Sequence, residues 1–155
     1  MPKQSTIKNA QELAREGKSP STQAGEFVRE EIDRIRDGEH GARSTKQAIA
    51  IALSEARRAG VNLPLPKKGK YSDEIREKAK RDLEKGRDDP NAKPSPTRSK
   101  ATTKALQKEG SEAASPEALS KQAKSVSESK TPAERSAIAK QAARTRESAR
   151  EKLSH

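Results

Sequence analysis

The 155-residue chain has no cysteine and no tryptophan, one phenylalanine (Phe27) and one tyrosine (Tyr71). Without thiols there is no disulfide framework, no thiolate ligand and no sulfur nucleophile, and a reducing cytosol is compatible with the chain. The two histidines, His40 and His155, are far apart in sequence. They supply neither a ligand pair for a metal nor the base of a catalytic constellation. Carboxylates are plentiful, but they stand beside Lys and Arg in helical stretches, where such pairs are normally surface ion pairs. A non-enzymatic protein is expected, with no metal, no cofactor and no small-molecule substrate. Large apolar side chains are also scarce. Leu, Ile, Val and Phe together number 19, too few for a charged chain of this length to pack throughout. A core is therefore expected in one short segment only. The longest apolar run, Ala48 to Leu53, cannot span a bilayer, and the N-terminus lacks an apolar leader. These absences lead to the expectation of a soluble, cytoplasmic protein with no membrane partner. The near-absence of aromatics also argues against base stacking, and so against single-strand binders of the OB or RRM kind.

What the chain has in excess is positive charge: 34 Lys and Arg against 23 Asp and Glu, a formal net charge of +11. Such an excess favours polyanions, nucleic acid above all. It is spread rather than gathered. Residues 1–71 carry 14 basic and 9 acidic side chains, and residues 72–155 carry 20 and 14.

Caps and apolar spacing predict an all-α protein. Residues 6–16 form a weak helix around Ile7 and Leu13, stopped by Gly17. Ser21 or Thr22 caps a helix that runs to about Asp37, with Ala24, Phe27, Val28, Ile32 and Ile35 on one face and Gly38 at its end. Ser44 and Gln47 have the spacing of a capping box. They open a helix over 45–59 with the stripe Ala48, Ile49, Ala52, Leu53 and Ala56, widened by Ile51 and ended by Gly60. The two helices pair as a hairpin, and Val61, Leu63 and Leu65 fold back over it as an extended lid. Ser72 caps a further helix, 73–85, stopped by Gly86, and residues 87–98 with three prolines read as an extended linker, one of the disordered linkers expected between the helices. In the last third the pattern [S/T]-P-x-x-x-S-x-x-A-K occurs twice, from Ser115 and from Thr131. A hydroxyl cap followed by proline at the first helical position is a helix start. The final helix carries only Ile138, Ala142, Ala149 and Leu153 as a stripe, so these helices are expected to be marginal without a partner. The organisation read from this is an N-terminal arm with a weak helix (1–20), a helical hairpin core (21–66), a basic linker with a solvated helix (67–92) and a partly disordered tail rich in Ala, Lys, Ser and Pro (93–155).

Three short motifs bear on chemistry. Gly17-Lys18-Ser19 resembles the end of a phosphate-binding loop, but Glu12 stands where a glycine is required and no strand precedes it. Asp37-Gly38-Glu39-His40 holds one histidine in a turn expected to be exposed and solvated. The basic residues around the second hairpin helix point to an anion instead. Arg43, Ser44 and Lys46 gather at its start, where free backbone N–H groups favour negative charge, and Arg57, Arg58, Lys67, Lys68 and Lys70 cluster towards its other end. Ser95-Pro96-Thr97-Arg98 has the S-P-x-[K/R] form of linker-histone tails, which adds Arg98 to the candidate phosphate contacts and gives residues 93–155 a loose resemblance to such tails.

The stretch His40-Gly41-Ala42-Arg43-Ser44-Thr45-Lys46-Gln47-Ala48-Ile49-Ala50-Ile51-Ala52-Leu53-Ser54-Glu55-Ala56-Arg57-Arg58-Ala59-Gly60 resembles the signature of an uncharacterised family of small basic bacterial proteins. The family is known as a domain of unknown function, and its members are sometimes labelled DNA-binding. The resemblance covers about residues 20–70 and implies a bacterial, cytoplasmic protein; it supplies no mechanism. Together these readings lead to the expectation of a nucleoid-associated or stress-response accessory protein that binds DNA largely without regard to sequence. The rival expectation is a hydrophilic protective or protein-interaction module that gains helix on desiccation or on a partner.

Overall fold

The computed structural model describes residues 1–154, which form seven α-helices and one 3-10 turn, with no β-strand among them; His155 lies outside the described residues. The all-α class holds. The chain divides into two units, Met1–Ala118 and the residues from Leu119 onward.

The first unit is built around helices α2 (Pro20–Arg36) and α3 (Thr45–Arg58). The cap of α2 is Ser19, not Ser21 or Thr22: its Oγ accepts from the Thr22 N–H at 3.4 Å, and Pro20 takes the first helical position. Proline's fixed φ suits that position, which moves the start upstream. Gly17-Lys18-Ser19 is thereby the connection into a helix. At α3 the Ser44 Oγ accepts from the Gln47 N–H at 3.2 Å, and the Gln47 side chain reaches back one residue further than the motif requires, to the Arg43 N–H at 2.7 Å. Gly17, Gly38 and Gly60 follow the first three helices with φ between +76° and +97°, the left-handed stop that side chains resist.

Apolar side chains from four segments meet between these helices. Ala24 and Phe27 of α2 pack with Ala52 and Ala56 of α3, Ala10 of α1 (Gln4–Arg15), and Val61 and Leu63 of the strap that follows α3. Ala48, Ala52 and Ala56 are fully buried, whereas Ile49, Ile51 and Leu53, expected in the same stripe, are half-buried on its flanks. An alanine ridge at four-residue spacing lets two helix backbones approach closely, leaving the larger side chains to close the edges. The expected lid over the hairpin is present in Val61 and Leu63. The arm expected at 1–20 is part of the core.

Helix α4 (Asp73–Asp88) starts at the Ser72 cap as predicted and continues past Gly86. Gly86 is no stop. It is buried in the contact with α3, where an added Cβ would sit 1.9 Å from the Arg57 carbonyl oxygen. Asp82 of the same face accepts from the Ser54 hydroxyl at 2.6 Å, so α4 packs on α3 and is not simply solvated.

The connections expected to be disordered have definite conformations. Residues 89–92 form a turn closed by Ala92 N–H to the Asp89 carbonyl, and Ser95-Pro96 opens α5 (Pro96–Leu106). The segment 106–114, which includes the 3-10 turn Glu112–Ala114, clips the loop end of the hairpin, where α2 connects to α3. Its carbonyls at Leu106, Gly110, Ala113 and Ala114 accept from the Gly41 N–H, the Ala42 N–H, the Thr45 hydroxyl and the Arg36 guanidinium, at 3.0, 3.1, 2.6 and 3.0 Å. Gly41 lies so close that a Cβ there would fall 2.0 Å from the Glu109 carbonyl oxygen.

The tail expected to be partly disordered is helical: α6 (Pro116–Glu128) and α7 (Pro132–Leu153). Both copies of the repeat act as helix starts. Ser115 Oγ accepts from the Ala118 N–H, and Thr131 and Glu134 form a reciprocal capping box. Neither helix has a buried residue, and Ile138 and Leu153 are exposed.

Two glycine substitutions separate the contact at α4 from ordinary helix propensity. Gly86→Ala is expected to destabilise the fold by about 1–3 kcal/mol, since the Arg57 backbone must move. Gly25→Ala, at a helical position where a Cβ meets nothing within 4 Å, is expected to stabilise by up to about 1 kcal/mol. Urea denaturation of both variants checks the pair, and equal midpoint shifts would contradict the close approach.

Candidate nucleic-acid interface

The predicted phosphate-contacting residues do not form one patch. Arg43, Ser44 and Lys46 flank the first turn of α3, and Arg57 and Arg58 lie at its end, roughly 20 Å away at 1.5 Å per residue. Lys67, Lys68 and Lys70 follow the strap, and Arg98 is on α5. Arg43, Ser44, Lys46, Lys67, Lys68, Lys70 and Arg98 are exposed.

The two arginines ending α3 differ from the rest. Arg57 is turned inward, and its Nη2 donates to the Pro64 carbonyl at 3.4 Å, tying the strap to the helix. Burial pushes its guanidinium below its ordinary value, with Asp82 opposing. Arg58 is half-buried, its Nε 3.8 Å from Asp82 Oδ1 and 3.4 Å from the Ser54 carbonyl. Ser44 uses its hydroxyl as the α3 cap. The outward-facing cations are therefore Arg43 and Lys46 at one end of α3, the 67–70 lysines beyond the other, and Arg98.

Between α2 and α3 lies a buried ionic cluster that the sequence reading did not identify. Arg34 stands among Glu30, Glu31 and Glu55. Its Nη2 bonds Glu30 Oε1 and the Met1 carbonyl, and its Nη1 lies 3.5 Å from Glu31 Oε2 and 3.4 Å from Glu55 Oε1. Glu30 also accepts the Lys3 N–H at 2.9 Å. Burial disfavours the Arg34 charge, but Glu55, Glu30 and Glu31 more than offset it, and the guanidinium is held above its ordinary value. The spacing Phe27, Glu31, Arg34 (i, i+4, i+7) puts the pair on the apolar face of α2, which is the signal that could have revealed it.

Glu31 is 1% exposed, and burial raises its carboxyl above the ordinary value, against the lowering influence of His40 and Arg34. Its Oε1 has no other hydrogen-bonding partner and faces His40 Nε2 at 3.4 Å. The His40 Nδ1 is 2.9 Å from the Gly41 carbonyl. A carbonyl can only accept, so Nδ1 carries a hydrogen. A neutral ring then offers Glu31 a lone pair, and an ionised Glu31 offers one in return. The contact is attractive only with a proton between Nε2 and Oε1. His40, expected to be solvated in an exposed turn, is instead half-buried and pins the loop leading to Arg43 onto α2.

Residues 17–68, about a third of the chain, match the model of a family of unknown function (DUF6496). The match agrees with the resemblance read from residues 40–60 and brings no activity or partner. No curated protein and no solved structure matches the chain.

The raised Glu31 carboxyl fixes the sign of a pH effect. Ionising it costs more in the fold than in the unfolded chain, so its contribution to stability falls as pH rises from the ordinary value of 4.5 through its higher folded value. The stability of the wild type relative to Glu31→Gln is expected to decline across that window. Urea midpoints for both proteins at a series of pH values provide the check; a difference that grows with pH would contradict the assignment.

Proposed function

We propose that this protein is a non-enzymatic DNA-binding accessory protein that contacts backbone phosphates through Arg43 and Lys46 at one end of α3 and through the 67–70 turn beyond the other, with Arg98 as a further contact. The observation that carries this reading is the sorting of the cations. Arg34, Arg57 and Arg58 are engaged with carboxylates or carbonyls of the fold. Arg43, Lys46, Lys68, Lys70 and Arg98 are exposed and form no ion pair among the described residues. Charge that the fold does not use is available to a polyanion, and phosphate contacts carry no base information, so binding is largely independent of sequence. A bacterial nucleoid or stress-response setting in the cytoplasm accords with this partner. Among the described residues no helix is long and apolar enough to cross a membrane.

One observation favours the second reading, a protective or partner-ordered module: neither α6 nor α7 has a fully buried residue. Circular dichroism distinguishes the two readings. The module reading requires a large gain of helix on drying or in helix-promoting solvent, together with indifference to DNA.

For the DNA reading, log affinity for duplex DNA is expected to fall with log salt at a slope of about −4 to −5, the value for four to six neutralised phosphates. Arg43→Ala and Lys46→Ala should each reduce that slope by about 1 with the fold unchanged. Arg57→Ala should instead lower the urea midpoint. Fluorescence polarisation over a salt series measures the slopes, and absence of binding at low salt would sink the proposal.

A further inference from the structure

The lone tyrosine stands on a braced basic turn. Pro64 and Pro66 stiffen the strap leading into it. The Pro64 carbonyl is held by Arg57, and the Pro66 carbonyl by Arg76 Nη1 at 2.5 Å. Between them and α4 the chain reverses through Gly69, at φ +85°, where a side chain would be strained, with the Lys70 N–H bonded to the Lys67 carbonyl at 3.2 Å. The backbone bridges Lys68 to Tyr71. This geometry fixes Lys68, Lys70 and Tyr71 on one short, rigid tip.

Tyr71 is 50% exposed, and Ile75, one turn into α4, is 51% exposed. Both belong to the few large apolar side chains of the first unit that the core does not take up. Exposed Asp73 and Glu74 adjoin them. Those acids reduce the net charge of the tip, so a ligand held by charge alone gains less here than at Arg43 and Lys46. An anionic lipid surface would meet the same two acids and find only two apolar side chains to insert. A nucleotide whose base is unpaired suits the tip better. Its phosphate meets Lys68 and Lys70, and its base face covers the Tyr71 ring, which stacks on any base.

We propose that the 67–71 turn is a binding site for unpaired nucleotides, in single strands or at disrupted positions of a duplex, with Tyr71 as the stacking platform. This rests on the phosphate-binding reading above and adds a preference to it.

The chain has one tyrosine and no tryptophan, so intrinsic tyrosine emission reports on this turn alone. A short oligothymidylate is expected to quench it, and inorganic polyphosphate, which binds by charge without bases, to leave it unchanged. Labelled oligothymidylate should bind Tyr71→Leu about tenfold more weakly, and Tyr71→Phe, which keeps the ring, as tightly as the wild type. Unchanged emission at saturating oligothymidylate, or equal affinity for Tyr71→Leu, overturns the stacking site while leaving phosphate binding intact. Emission that responds to phosphatidylserine vesicles but not to oligothymidylate overturns it in favour of a lipid surface. Failure of every polyanion to bind removes both proposals.

Discussion

Arg34 sits among three carboxylates, Glu30, Glu31 and Glu55, that have left water. A buried charge is tolerable only while it is paired and hydrogen-bonded, and removing one partner of such a set leaves the others without compensation. The pairing has wide reach here because its members come from different parts of the chain. The Met1 carbonyl and Lys3 N–H bring in the start of the chain, Arg34 and its two glutamates belong to α2, Glu55 to α3, and His40 to the loop between them. No rearrangement of one segment leaves this cluster satisfied. A chain with so few large apolar side chains thus gains a unique arrangement from ions where a larger protein would use hydrocarbon.

The rest of the first unit follows from the same shortage. With little apolar volume to fill space, the backbones come close. Ala48, Ala52 and Ala56 are buried outright, and Gly86 admits the Arg57 carbonyl where any side chain would exclude it. Close approach replaces the dispersion contacts of bulky side chains with contacts between main chains. It also makes single methyl groups matter at these points.

The sequence disclosed the helices better than the contacts between them. Caps and stops are local: Ser44, Ser72 and Thr131 act on their own next turn, and each opens the helix read from it. Gly86 was misleading because a glycine after a run of helical residues has two physical meanings, a left-handed stop or a place for a neighbour's backbone, and only the packing of α4 on α3 distinguishes them. The 106–114 clip was illegible for another reason. It works through main-chain carbonyls, which every residue has. The candidate interface shows the same division. Exposed Arg43 and Lys46 were readable from position and charge, whereas adjacent Arg57 and Arg58 look alike in sequence and diverge only when the strap takes the first of them inward.

The 106–114 clip lies well outside residues 17–68, the stretch that matches a family of unknown function. Yet it supplies the acceptors for Arg36, Gly41, Ala42 and Thr45 inside that stretch. The matched segment is therefore a recognisable pattern without being a self-sufficient module. Grafted alone into another chain, it would bring four donors that need new acceptors. Its flanking sequences are tied to it by geometry even where their residue identities are free to vary, since a carbonyl in the right place serves whatever side chain accompanies it.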